Sequence, residues 1–146
     1  MMRSVYEIFD TTNKLYEQQG KQAAIDFIRD VNCVLVESML RGAFDPAIKW
    51  LLPKTPPPYK ESFSIDLEGI FFHECRKLYL FIEGGSPNLK QTKREQLFID
   101  MLEMIDKNDA KLLLSVVNKK FPFKNIDRFF VNEAFPGILS GIVNEQ

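Results

Sequence analysis

The sequence predicts an all-α domain of about seven or eight short helices, a count read from helical periodicity and its punctuation. Three observations predict it. Apolar residues recur three and four positions apart; Ser/Thr-x-x-Glu boxes and an Asp-Pro pair stand where such runs begin; glycine or proline stands where they stop. A chain of 146 residues suits one domain. With 45% hydrophobic and 27% charged residues, its composition is that of a globular fold rather than a disordered one. Residues 1–146 are therefore read as a single helical domain with a proline-rich surface connector at 53–60.

Each element has its own justification. Ser4-Val5-Tyr6-Glu7 has capping-box form, in which hydroxyl and carboxylate satisfy free amides at a helix start. Val5, Ile8, Phe9, Leu15 and Tyr16 then share one face, and Gly20 breaks the helix. Ala24, Ile25, Phe27 and Ile28 form the apolar side of a second helix. A third is expected from Asn32 to Arg41, ending at Gly42. Asp45-Pro46 reads as an N-cap followed by proline at the first helical position, opening a short helix through Ile48, Trp50 and Leu51. The run Pro53-Lys54-Thr55-Pro56-Pro57-Pro58-Tyr59 cannot be helical, because proline lacks the amide donor and restricts its predecessor.

Ser64 or Asp66 is expected to start a long helix containing Ile70, Phe71, Cys75, Leu78, Tyr79 and Ile82, which Gly84-Gly85-Ser86-Pro87-Asn88 ends. Thr92-Lys93-Arg94-Glu95 is a second capping box, leading into Leu97, Phe98, Met101, Leu102 and Ile105. Asn108 or Asp109 caps a further helix with Leu112, Leu113, Val116 and Val117. The tail adds a turn from Phe121 to Asn125, a short helix to Ala134 and the break Phe135-Pro136-Gly137.

Composition excludes several function classes. The net charge of -1 does not describe a strongly basic body, so any attraction for phosphate has to come from a local patch. Cys33 and Cys75 form no CxxC, which fits a reducing cytoplasm better than a disulfide framework. A single histidine, His73, argues against a metal site. The N-terminal MMRSVYEIFD lacks the apolar core of a signal peptide, and no apolar run approaches the roughly 20 residues that span a bilayer. The expected location is the cytoplasm, with no membrane partner.

Catalytic motifs are also missing. The chain holds no GxxxxGK[ST] loop, no GxSxG elbow and no HExxH. His73 and Cys75 stand two apart and point to different faces of a helix, which reads as a partly buried histidine and an inert core thiol. Asp100, Glu103 and Asp106 make a carboxylate stripe that reads as a solvated face paired with Lys107 and Lys111. No enzyme activity, cofactor or metal is expected. The basic residues are more informative. Lys90, Lys93 and Arg94 gather at one helix start, while Lys119, Lys120, Lys124 and Arg128 flank the tail turn, with Phe121 and Phe123 interleaved. Cations beside helix N-termini are suited to phosphate, although lysines at a helix C-terminus are also ordinary dipole partners.

Asn118-Lys119-Lys120-Phe121 and the run Phe129-Phe130-Val131-Asn132-Glu133-Ala134-Phe135-Pro136-Gly137-Ile138-Leu139 resemble the end of the N-terminal DNA-binding domain of T-even-type phage ATP-dependent DNA ligases. The head agrees in order: the Ile8 helix, Gly20-Lys21-Gln22, Leu40-Arg41, then Ile48-Lys49-Trp50 before Pro53. The chain also looks like small uncharacterised proteins of T4-like phages that share the Phe-Pro-Gly ending. The resemblance spans about Val5 to Leu139 and implies a ligase-DNA-binding-domain-like fold, a helical clamp on duplex DNA that works through backbone contacts. No Lys-x-Asp-Gly motif occurs, so ligation is not expected. Two departures bear on the contact surface. Asp127 and Glu133 put carboxylates where the ligase pattern favours phosphate, each opposing it by about a kcal/mol; in the same turn Asn125 stands where a left-handed residue is expected.

Two functional expectations follow. One is a non-catalytic phage accessory protein in the host cytoplasm. It would associate with double-stranded DNA or the replication machinery through Lys119, Lys120, Lys124, Asn125 and Arg128, with Lys90, Lys93 and Arg94 as a second contact. The other is a protein-binding module that has lost DNA binding and inhibits or redirects a host or replication factor. Its recognition strip would be Pro56, Pro57, Tyr59 and Phe63.

Overall fold

The computed structural model describes residues 4–61, 67 and 69–139. Among them it contains seven α-helices, one 3₁₀ helix and no strand beyond a single isolated bridge. The chain is all-α, as its periodicity predicts. α1 (Val5–Gln19) and α2 (Lys21–Asp30) form a hairpin. The Ser4 hydroxyl caps α1 by accepting from the Glu7 amide at 3.2 Å, and Gly20 makes the turn with φ of 98°. α3 (Val34–Phe44) lies against α6 (Lys107–Val117), which also meets α1 and α5 (Gln91–Met104). α7 (Arg128–Ala134) packs on α2.

The tail aromatics belong to the core. Phe123 is buried and Phe121 half-buried. The Phe121 ring meets Phe9 edge-on at 4.9 Å and Phe44 at 5.3 Å. Burying a ring such as Phe9 contributes about 2–3 kcal/mol. The aromatics interleaved with lysines in the sequence therefore face inward and are not available to a ligand.

Gly42 does not end α3. It lies inside the helix because Trp50 needs its space: a Cβ there would sit 2.6 Å from Trp50 Cζ2 and 2.8 Å from Val116 Cγ1. The Gly42 carbonyl would normally accept from the residue four places on, but Pro46 has no N–H. The Trp50 indole fills that role, donating from Nε1 at 3.0 Å.

No helix follows Asp45-Pro46. The Asp45 carboxylate accepts from the Ala47 amide at 2.9 Å, a turn rather than a helix start. The chain then runs extended: Trp50 pairs antiparallel with Ile82, Leu51 N–H donates to Phe81 at 2.8 Å, and Glu83 N–H donates to Lys49 at 2.8 Å.

The long helix expected up to Ile82 is two shorter pieces, α4 (Ile70–Glu74) and a 3₁₀ helix (Cys75–Phe81). Its expected start at Ser64 or Asp66 lies outside the described residues. The 3₁₀ form follows from spacing. Cys75, Leu78 and Phe81 are three apart and all buried, and three residues per turn stacks them in one line. Tyr79, which an α-helix would turn inward with Cys75, is left 52% exposed. Gly85 closes the segment where no side chain fits, since a Cβ would meet the Tyr79 carbonyl oxygen at 1.9 Å.

Two expected caps are replaced. Thr92 lies inside α5, which begins at Gln91 with no side-chain cap. α6 is capped by Asp106, whose carboxylate accepts from Asn108 at 2.9 Å and Asp109 at 3.3 Å. Asp109 is instead fully buried and accepts from the Tyr6 amide at 2.9 Å, joining α6 to the start of α1.

Candidate functional site

The proposed DNA-contact residues divide into distinct environments. Lys90 and Lys93 are exposed at the start of α5, and Lys119 and Lys120 are exposed at the end of α6. The extended segment after Trp50 ties both helix ends together. The Gln91 side chain donates to the Leu51 carbonyl at 2.8 Å, and the Asn118 side chain donates to the Lys54 carbonyl at 3.1 Å. Leu51 and Lys54 are three residues apart, a span of at most about 10 Å. The two basic clusters thus lie at one end of the molecule, and exposed Lys49 and Lys54 stand on the segment between them.

Lys119 is partly committed to the fold. It is the left-handed residue at the end of α6, with φ of 59°. Its amide donates to Val116 and that of Lys120 to Ser115, each at 2.9 Å, the paired closure that satisfies the last free carbonyls of a helix. Its Nζ reaches the Asp45 carbonyl at 2.8 Å, and burial lowers its pKa from 10.5.

Arg94 is unsuited to phosphate contact. It is 5% exposed. Its guanidinium donates to the Leu80 carbonyl at 2.9 Å, the Ser86 carbonyl at 3.0 Å and Gln91 Oε1 at 2.6 Å. It joins the end of the 3₁₀ helix and the glycine loop to α5.

Lys124 and Asn125 fold onto α1. Glu17 sits 3.6 Å from Lys124 Nζ and accepts from Asn125 Nδ2 at 3.1 Å; the Asn125 amide donates to Asn13 at 3.0 Å. Among the described non-glycine residues Lys119, not Asn125, holds the positive φ. Arg128 lies over the exposed Phe129 ring at 5.0 Å. Asp127 caps α7, accepting from Phe130 at 2.9 Å. Glu133 pairs with Lys21 at 2.9 Å, which balances its charge and raises the lysine pKa from 10.5.

The connector is strapped down. Beyond Lys54 it runs to Lys60, whose amide donates to Glu103 at 2.8 Å, and to Glu61, which faces Lys111 at 3.5 Å. Pro56 is exposed, Pro57 is half-buried, and the Tyr59 ring packs on the core, where burial raises its pKa. Phe63 lies outside the described residues. The carboxylate stripe is broken: Asp100 accepts from Gln96, Glu103 serves the connector and Asp106 is a cap. His73 is exposed rather than partly buried, and accepts from Arg76 at 2.9 Å.

The fold also builds a site that the sequence did not single out. Between α3 and the 3₁₀ helix lies a groove of about 310 Å³, lined by Val34, Trp50, Leu78 and Tyr79 with Arg41 and Arg76 beside them. Among the described residues no carboxylate lines it. Val34 is 69% exposed at its rim. Three separate segments supply these side chains, and the one sequence signal was Tyr79, placed inward by α-helical spacing. A larger depression of about 520 Å³ lies beside the Phe135–Ile138 turn. There Arg29 already donates to the carbonyls of Ala134 and Glu133 at 2.8 and 3.0 Å.

No helix among the described residues is long and apolar enough to cross a membrane, and those residues hold no cluster of three metal-ligating side chains. No curated protein and no solved structure matches the chain. Residues 12–122, from within α1 to the turn before α7, match one established family, and the chain belongs to it: the family of unknown function DUF6433.

Proposed function

We propose that this protein is a non-catalytic phage accessory protein that associates with duplex DNA, or with replication machinery assembled on it, through its lysine-rich end. The observation that carries the reading is the convergence of Lys90 and Lys93 with Lys119 and Lys120, bridged by Lys49 and Lys54. Exposed lysines along one end suit contacts to backbone phosphates, which do not require reading base edges. Binding of this kind draws its free energy from released counterions, so it is sequence-tolerant and weakens steeply with salt. The ligase-like order of motifs supports the same reading, with its contact surface moved. Lys124 and Asn125 are engaged by Glu17 and Asn13, and Arg94 serves the fold.

The test is fluorescence anisotropy with intact and nicked duplex across a salt series. Wild-type protein is expected to bind at low salt. Substituting Lys90, Lys93 and Lys120 together by glutamate should weaken binding by about tenfold or more and reduce the salt slope by about three. Absence of wild-type binding at low salt would overturn the proposal. The second reading, a protein-binding module, is favoured by the apolar groove rather than by the connector strip.

A further inference from the structure

We infer that the groove between α3 and the 3₁₀ helix is a docking site for an acidic, amphipathic segment of a partner protein. That segment would carry aliphatic or aromatic anchors next to Asp or Glu. The floor is fixed before any partner arrives. The Trp50 indole is pinned by its bond to the Gly42 carbonyl and by the Trp50–Ile82 bridge, so little ordering is required on binding. The rim departs from ordinary surface chemistry. Val34 and Tyr79 project at 69% and 52% exposure, while their neighbours Leu35 and Leu78 are buried. Tyrosine, tryptophan and arginine together are the composition of interface hot spots.

Charge selects the occupant. Arg41 and Arg76 line the groove, with no carboxylate among its walls as formed by the described residues. Arg76 is exposed and donates to His73 Nε2 at 2.9 Å. Arg41 meets Glu37 at 3.8 Å and the Ile138 carbonyl at 3.3 Å, both long contacts, while Glu37 is drawn to Asn32 at 2.7 Å. The exposed Arg76 guanidinium beside an apolar floor, with Arg41 at the edge shared with the neighbouring depression, complements carboxylates flanking apolar anchors. The exposed rim extends the contact beyond the groove, which suits a polypeptide better than a small molecule.

The experiment selects binders from a random displayed peptide library on the intact chain, then titrates recovered peptides against the emission of Trp50, the only tryptophan. Recovered sequences are expected to place Asp or Glu beside apolar residues and to shift that emission. Arg41→Glu with Arg76→Glu, and separately Tyr79→Ala, should each weaken them by about tenfold or more. Tyr79 and Val34 are solvent-facing, so Tyr79→Ala and Val34→Asp keep the fold, which circular dichroism checks. Neutral or basic binders, binders indifferent to these substitutions, or no binder that moves Trp50 emission would overturn the inference. So would self-association in sedimentation that Val34→Asp abolishes, because it assigns the face to a second copy. The lysine substitutions that test DNA association lie elsewhere, so either proposal can fail alone.

Discussion

Arg94 and Lys93 are adjacent in a run of basic residues, yet one is buried and spent on Leu80, Ser86 and Gln91 while the other meets water. Charge on the page does not distinguish them; the carbonyls that Arg94 satisfies come from a different segment. Arg94→Ala is expected to lower stability by about 2–3 kcal/mol in urea denaturation, because two part-buried carbonyls lose a charged donor. The folded fraction should keep its wild-type affinity for duplex. Cys75 offers a second residue-level test. Burial raises its thiol pKa above 9.0, so the folded state holds a proton that the unfolded chain releases first. The resulting stabilisation is complete below pH 9.0 and is lost as pH rises through the higher folded value. Stability measured across that window should fall less steeply in Cys75→Ala. At neutral pH, Cys33 should alkylate faster than Cys75, which is 5% exposed.

Most helices were legible in the sequence, the short one expected after Asp45-Pro46 being an exception, and several helix ends were not. Ser4 and Gly20 act locally, through bonds to Glu7 and Tyr16, so neighbouring residues announce them. Gly42 looked like a stop because its reason for being glycine, the Trp50 ring, arrives from eight positions away. Thr92 looked like a cap because the Thr-x-x-Glu pattern carries no information about the Lys90 carbonyl, which already accepts from Arg94 at 2.9 Å and places the helix start earlier. The contrast is measurable. Asp106→Ala should cost about 1 kcal/mol, the usual worth of a cap, while Thr92→Ala should change stability by no more than about 0.5 kcal/mol. Equal losses would restore Thr92 as a cap. The 3₁₀ helix was hidden for a related reason: Cys75, Leu78 and Tyr79 satisfy an α-helical template as well as Cys75, Leu78 and Phe81 satisfy a three-residue one.

The molecule as a whole presents two surfaces of different chemistry, a lysine end held by Leu51 and Lys54 and an apolar groove floored by Trp50. Tyr79→Ala should leave duplex affinity unchanged, and glutamate at positions 90 and 93 should leave groove binding unchanged; a double variant should show the sum of the two effects, as for separated sites. The same long-range architecture has a consequence for biosynthesis. α1 is made well before its partners: the free amide of Tyr6 waits for Asp109, 103 residues later, and Asn13 waits for Asn125, 112 residues later. At translation rates of about 5–20 residues per second, the Val5, Ile8 and Phe9 face stays uncovered for on the order of ten seconds on the ribosome. Completion of the α1 face is therefore tied to synthesis of α6 and of the Phe121–Asn125 turn.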